Sequence, residues 1–347
     1  MIAGVYDAVL VVSFGGPERA EDVIPFLENV VRGRGVPRER LLEVAEHYYS
    51  FGGTSPINDQ NRALVSALRE ELEAKGPDLP IYFGNRNWHP LLPDTLRAMA
   101  RDGVRQALAF VTSAFSSYSG CRQYRENIVD AIATVGDGAP RVDKIRVFFN
   151  HPGFIRSVAE RARAALSQFG ASDRAGARLL FTAHSIPLSM AHTCDYVAQL
   201  REASRLVGEQ IGSDNWELVF QSRSGPPTQP WLEPDIGDRI DSLGAEGVRH
   251  VCIVPIGFLS DHVEVAYDLD FEAAARASAA GISFVRAETV GTCPVFVSAV
   301  RDLIRERVEG ENVRACVGVL PARPDECRND CCPRPQRPGR AAGERPR

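Results

Sequence analysis

The segment from Pro255 to Glu272 spaces three carboxylates, Glu264, Asp268 and Glu272, at i, i+4 and i+8. On a helix they stack on one face, where like charges repel. Such a run is ordinarily a solvated face. The chemistry that would otherwise compensate it is a divalent cation passed along the carboxylates, with His262 close by. His184, in the run FTAHSIP, follows an apolar stretch; its imidazole titrates near neutral pH and can take up a proton. A third segment, Gln221 to Pro234, is a Pro/Gly-rich loop. It is either a rigid connection or a cleft wall offering Trp231 for stacking and Arg223 for a carboxylate.

These groups need strands to hold them. Short runs rich in Val, Ile, Leu and Phe predict strands at 9–13, 81–84, 107–112, 145–149, 179–182, 218–221, 251–256 and 284–287. Amphipathic stretches at 20–31, 60–74, 96–102, 154–168, 196–211 and 238–243 predict helices between them. Alternation of this kind implies an α/β fold with parallel sheets flanked by helices and ligands at the carboxyl ends of strands. The two halves repeat each other. Gly103-Val104-Arg105 leads into one apolar run and Gly247-Val248-Arg249 into another. Trp88 precedes the first by 15 residues and Trp231 the second by 16. Ser13 to Pro17 parallels His184 to Pro187 at the front.

We therefore expect two similar Rossmann-like lobes, 1–150 and 151–294, with a cleft between them. The second lobe carries His184 and Glu264. A helix at 295–310 is expected to pack back on the first lobe, followed by a Cys-containing extension at 311–333 and a disordered tail at 334–347.

The chain has 347 residues and a formal net charge of −5, which argues against a nucleic-acid partner. Only Lys75 and Lys144 are lysines, so its positive charge is nearly all Arg. No apolar run reaches the ~18 residues of a membrane span. The first residues read as a strand rather than a signal peptide, so the expected compartment is the cytoplasm. There, clustered cysteines more often bind metal than form disulfides. Four of the eight, Cys316, Cys327, Cys331 and Cys332, crowd the end of the chain. Cys121, Cys194, Cys252 and Cys293 are spread over the body, and Cys252 reads as core packing.

Together the motifs HSIP (184–187), QSRSG…PWLEP (221–234) and PIGF…DHVE…DLD (255–270) resemble the ferrochelatase family over about residues 6–310. The runs SFGGP (13–17), FGGTSP (51–56) and FGNRNW (83–88) add to the likeness, and the WLEPD form and cysteine tail resemble its actinobacterial members. The resemblance implies a chelatase-like fold and insertion of ferrous iron into a porphyrin, most specifically coproporphyrin III, for haem synthesis. It implies His184 and Glu264 as the metal-site and catalytic pair, with Asp268 and Glu272 continuing an iron or proton path. It further implies porphyrin contacts from Phe14, Tyr118, Arg223, Trp231 and Phe258, with Arg32, Ser55 and Tyr124 for propionates. Phe14 stands where some relatives have Tyr, which removes a phenolic contact.

The family's C-terminal extension suggests a [2Fe–2S] cluster on Cys316, Cys327, Cys332 and Cys121, with Cys331 and Cys194 as alternatives. Zinc is the other metal that clustered thiols suggest. A monomer is expected, with transient contacts to neighbouring haem-pathway enzymes. Two other readings stay open: a cobalt or nickel chelatase acting on a related tetrapyrrole, and a non-enzymatic tetrapyrrole-binding protein.

Overall fold

A computed structural model of the chain describes residues 6–33, 35–225, 228–311 and 313–335. Eight strands form two four-stranded parallel sheets. β1 (Ala8–Ser13), β2 (Ile81–Asn85), β3 (Gln106–Val111) and β4 (Arg141–Lys144) stand in the order β2-β1-β3-β4. β5 (Arg178–His184), β6 (Trp216–Gln221), β7 (His250–Val254) and β8 (Ser283–Arg286) stand in the order β6-β5-β7-β8. The same order in both halves is the internal repeat seen in the sequence. Every residue of β1 is buried, as expected for a central parallel strand covered by helices on both faces.

One expected strand is displaced. The apolar run 145–149 lies just beyond the edge strand β4, whose own residues are Arg141–Lys144. Hydrophobicity signals burial, and an apolar run of this length does not distinguish a strand from buried irregular chain. Phe148 packs 5.5 Å from Phe110 and 5.7 Å from Phe154, inside a core cluster that also holds Phe181 and Phe220 of the second sheet.

The helix Pro294–Val308 returns to the first half of the chain. Its Ser298 donates to Glu71 of the helix Ile57–Lys75 at 3.0 Å. Arg146, fully buried just past β4, forms a bidentate pair with Glu306 of the 294–308 helix at 2.6 and 3.0 Å. Its Nη2 also donates to Ala315 O at 2.9 Å, and its Nη1 to Val147 O at 3.5 Å. A buried arginine survives only when its donors are met in this way.

The segment 313–335 has no helix or strand among its described residues, yet it is tied down. Val317 N donates to Asn150 O at 3.0 Å, Asn150 Nδ2 to Leu320 O at 2.7 Å, and Val319 N to Glu202 at 2.6 Å. Arg323 pairs with Asp195 at 2.8 Å. These partners sit in both halves of the chain. The end expected to be disordered lies, from residue 336 on, outside the described residues. Among the described residues no helix is long and apolar enough to cross a membrane.

Candidate active site

His184 is the last residue of β5, beside Gln221, the last of β6. Beyond the strand ends, the HSIP and WLEP segments continue to pair. Leu232 N donates to Ile186 O at 3.0 Å and Ser185 Oγ to Leu232 O at 2.9 Å. The Pro-rich loop is thereby held against the histidine. Trp231 closes it, with its indole against Gly225, where a Cβ would fall 2.3 Å from the ring nitrogen. Arg223, exposed, donates to Gln229 O at 3.2 Å.

The His184 Nδ1 contacts the carbonyl oxygen of Ser185, an acceptor, so the ring proton sits on Nδ1. Nε2 faces the Glu264 carboxylate at 3.7 Å. Both side chains are partly open to solvent, 35% and 44% exposed.

Glu264 lies on a single helical turn, Val263–Val265, that runs into a π-helical stretch, Ala266–Ala273. Wide i→i+5 turns are rare and concentrate at functional sites. Asp268 and Glu272 fall on this stretch, and all three carboxylates line one cavity of about 240 Å³. Burial, followed by the nearby charges of Glu264 and Glu272, pushes Asp268 up to about 7 against hydrogen bonds from Ser222 and Gln221 that favour its ionised form. Burial lowers His262. His262 stands against Phe258, ring centroids 5.3 Å apart.

The opposite side of this cavity comes from a helix absent from the sequence expectation, Arg38–Ser50, which supplies Arg40, His47 and Tyr48. Its signal was present in the sequence: Pro37 before it, Leu41, Ala45 and Tyr48 on its buried face, and Gly52 and Gly53 after it. His47 stacks on Tyr267 at 3.9 Å, nearly parallel. Burial, with the charge of Glu264 nearby, raises the Tyr48 hydroxyl. Phe14 and Trp88 pack in the apolar cluster that holds Tyr48 and Val263, so this wall adjoins Glu264 directly.

The remaining candidates fall in several places. Ser55 is buried behind Gly16, and Arg32 is exposed at the end of the helix Val23–Val31, bonded to Asn29. Tyr124 is buried on the helix Gln123–Val135. Tyr118 lies under the C-terminal segment: it donates to Glu126 at 2.9 Å and accepts from Arg334 at 2.5 Å.

The cysteines gather differently from the expected set. Cys121, Cys327, Cys331 and Cys332 line one cavity of about 280 Å³ with Arg125 and Lys144. Cys316 is exposed and lies off it; the tail leaves Ala315 at Arg146 and runs across Asn150 before reaching the cavity. Cys194 is also off the cavity, its thiol turned to Met190 O at 3.3 Å. Cys327 donates to Cys121 and, with the charge of Lys144, holds it well below its ordinary range. Cys331 and Cys332 sulfurs are 3.6 Å apart. Among the described residues no three His, Cys, Asp or Glu side chains converge as the ligands of a single metal ion.

Two repeated parallel sheets, with an imidazole and a carboxylate facing each other at the strand ends, define a two-lobe chelatase. The fold is shared with SirB from Bacillus subtilis, solved with Fe3+ (TM-score 0.56, 11% identity, covering 88% of this chain and 98% of that one). The Ferrochelatase family model matches residues 6–308. A ferrochelatase of Rhodopirellula baltica is 55% identical over 98% of this chain and 97% of its own length. A coproporphyrin III ferrochelatase of Streptomyces coelicolor is 50% identical over 99% and 98%. The chain belongs to the ferrochelatase family.

Proposed function

We propose that this enzyme inserts ferrous iron into coproporphyrin III in haem synthesis, releasing two protons. The observation that carries the reading is the pair His184 Nε2 and Glu264, an imidazole and a carboxylate 3.7 Å apart. Fe2+ can replace the two pyrrole hydrogens only as both leave as protons, so the reaction needs proton acceptors beside the metal. A neutral His184 takes up one proton at Nε2, and the Glu264 carboxylate supplies the second acceptor. Asp268, which titrates near neutrality, and Glu272 then carry protons or incoming iron along the cavity. Trp231, Phe14 and Phe258 offer apolar surface to the macrocycle, and Arg32, Ser55 and Tyr124 offer donors to its carboxylates. The 50% identity to coproporphyrin III ferrochelatases supports that substrate.

We further infer a resident [2Fe–2S] cluster on Cys121, Cys327, Cys331 and Cys332, with Cys316 outside the set. Four thiols in one cavity match the usual count of cluster ligands, and soft thiolates suit iron–sulfur chemistry. The cluster would act by pinning the tail to the body.

The decisive assay compares ferrous, cobalt and nickel insertion into coproporphyrin III and protoporphyrin IX. Iron with coproporphyrin III is expected to be fastest. The His184→Ala variant should lose insertion while still quenching porphyrin fluorescence on binding. Full activity in that variant would overturn the mechanism, and binding without insertion by the wild type would make the protein a carrier.

A further inference from the structure

Arg86 stands immediately after β2, beside Phe14 at the end of β1. Its guanidinium lies 4.4 Å from the centre of the Tyr124 ring and 5.5 Å from that of Phe14. Nε donates to Asn127 at 2.7 Å and Nη1 is 3.5 Å from Ser119 O. Nη2 makes no hydrogen bond among the described residues.

What sets Arg86 apart is its charge balance. Among the described residues, the arginines that are buried or half-buried are ion-paired with a carboxylate, from Arg122 and Arg146 through Arg239 and Arg286 to Arg323. The exceptions are Arg125, on the cysteine cavity, and Arg86. A half-buried guanidinium without a counter-charge is costly unless a ligand supplies one. Ring contacts on its faces leave its edge for a planar, bidentate partner, which is carboxylate geometry. The neighbouring Tyr124 hydroxyl also makes no hydrogen bond among the described residues, although its ring is buried. Phe14 joins this group to the reaction centre, since it packs in the same cluster as Val263, the residue before Glu264.

We propose that Arg86 is a specificity residue that binds a peripheral carboxylate of the porphyrin, with the Tyr124 hydroxyl as a second donor. The proposal rests on the porphyrin-chelatase reading above and deepens it. The site takes a propionate at a position where a tetracarboxylate porphyrin has one and a dicarboxylate porphyrin carries an apolar group. Arg86 thereby helps select coproporphyrin III over protoporphyrin IX.

The test is steady-state ferrous insertion with both porphyrins by wild type, Arg86→Gln and Arg86→Lys. A charge-assisted hydrogen bond is worth about 10- to 100-fold in affinity. Arg86→Gln should therefore raise KM for coproporphyrin III by at least about tenfold, with a much smaller change for protoporphyrin IX, the mark of lost substrate binding. Arg86→Lys should recover part of the loss, and high salt should weaken wild-type binding of coproporphyrin III more than that of the Gln variant. If Arg86→Gln fails to fold, the Lys variant carries the comparison: it should still lose selectivity, because a point charge replaces a fork. Equal changes for the two substrates, or none, overturn the role of Arg86. Failure of the wild type with both porphyrins would instead overturn the chelatase reading.

Discussion

Ser222 holds the buried carboxylate of Asp268 from a left-handed backbone position, φ 60°, directly after β6. A non-glycine residue rarely adopts that conformation, and the chain keeps it where it aims a hydroxyl at the acidic ladder. Burial outweighs the hydrogen bonds from Ser222 and Gln221, so Asp268 titrates at about 7 rather than near 3.8. Its folded pKa lies above its unfolded one. The stabilising contribution is fully present below about pH 4 and lost as the pH rises through 7. At pH 8 the enzyme thus holds an ionised, partly desolvated carboxylate for the sake of the site.

Asp268→Asn removes that burden. Its Tm at pH 8 should exceed that of wild type by a few degrees, roughly the effect of 1 kcal/mol or so in a chain of this size. The gap should close by pH 4. Ferrous insertion should fall, by ~100-fold if Asp268 is a proton acceptor in the path. Scanning calorimetry at the two pH values, paired with the insertion assay, checks both halves. A variant less stable than wild type at pH 8 would show that Asp268 is structural.

His151 acts in the opposite sense. It is buried at the start of the helix Pro152–Leu166, and its Nδ1 accepts from Gly153 N at 3.2 Å. Burial, then the charge of Arg146, lowers it to about 4. A folded pKa below the unfolded 6.5 gives stability that is intact above pH 6.5 and lost as the pH falls toward 4. From pH 7 to pH 5 this one residue should remove about 2 kcal/mol. His151→Asn keeps an acceptor for the helix start and cannot protonate. Urea titrations should show a shallower loss between pH 7 and pH 5 for the variant; parallel losses would exclude His151 as the source.

Much of this architecture was legible in the sequence. The strands, their repetition and the strand-end positions of His184 and Gln221 follow from apolar runs and matched spacings. The helix Arg38–Ser50 was not read, because charged residues break up its apolar pattern and its buried face is a thin stripe of Leu41, Ala45 and Tyr48. With it went Arg40, His47 and Tyr48, which line the cavity around the carboxylates. The role of Ser222 was hidden for another reason: a backbone angle, not a residue type, aims it at Asp268. The run 145–149 misled because burial between packed aromatics and burial in a sheet demand the same side chains.

The cysteines show the same limit, and they yield a direct test. The family resemblance suggested Cys316 with Cys332 and kept Cys331 as an alternative. In the fold Cys316 lies off the cavity while both adjacent cysteines line it, because the chain after Ala315 crosses Asn150 and Glu202 before Arg122 and Arg125 hold the carbonyls of Cys331 and Cys327 there. Adjacent cysteines can both face it because Cys332 takes a left-handed turn, φ 50°. Protein purified without oxygen should show visible absorbance with iron and sulfide in equal amounts. Cys331→Ser and Cys121→Ser should lose the colour, while Cys316→Ser should keep it. Loss of the tail's anchoring should also make the 313–335 segment more susceptible to proteolysis in the first two variants only. A coloured Cys331→Ser protein would return the fourth ligand to Cys316 or Cys194, and a colourless wild type carrying stoichiometric zinc would replace the cluster with a zinc site.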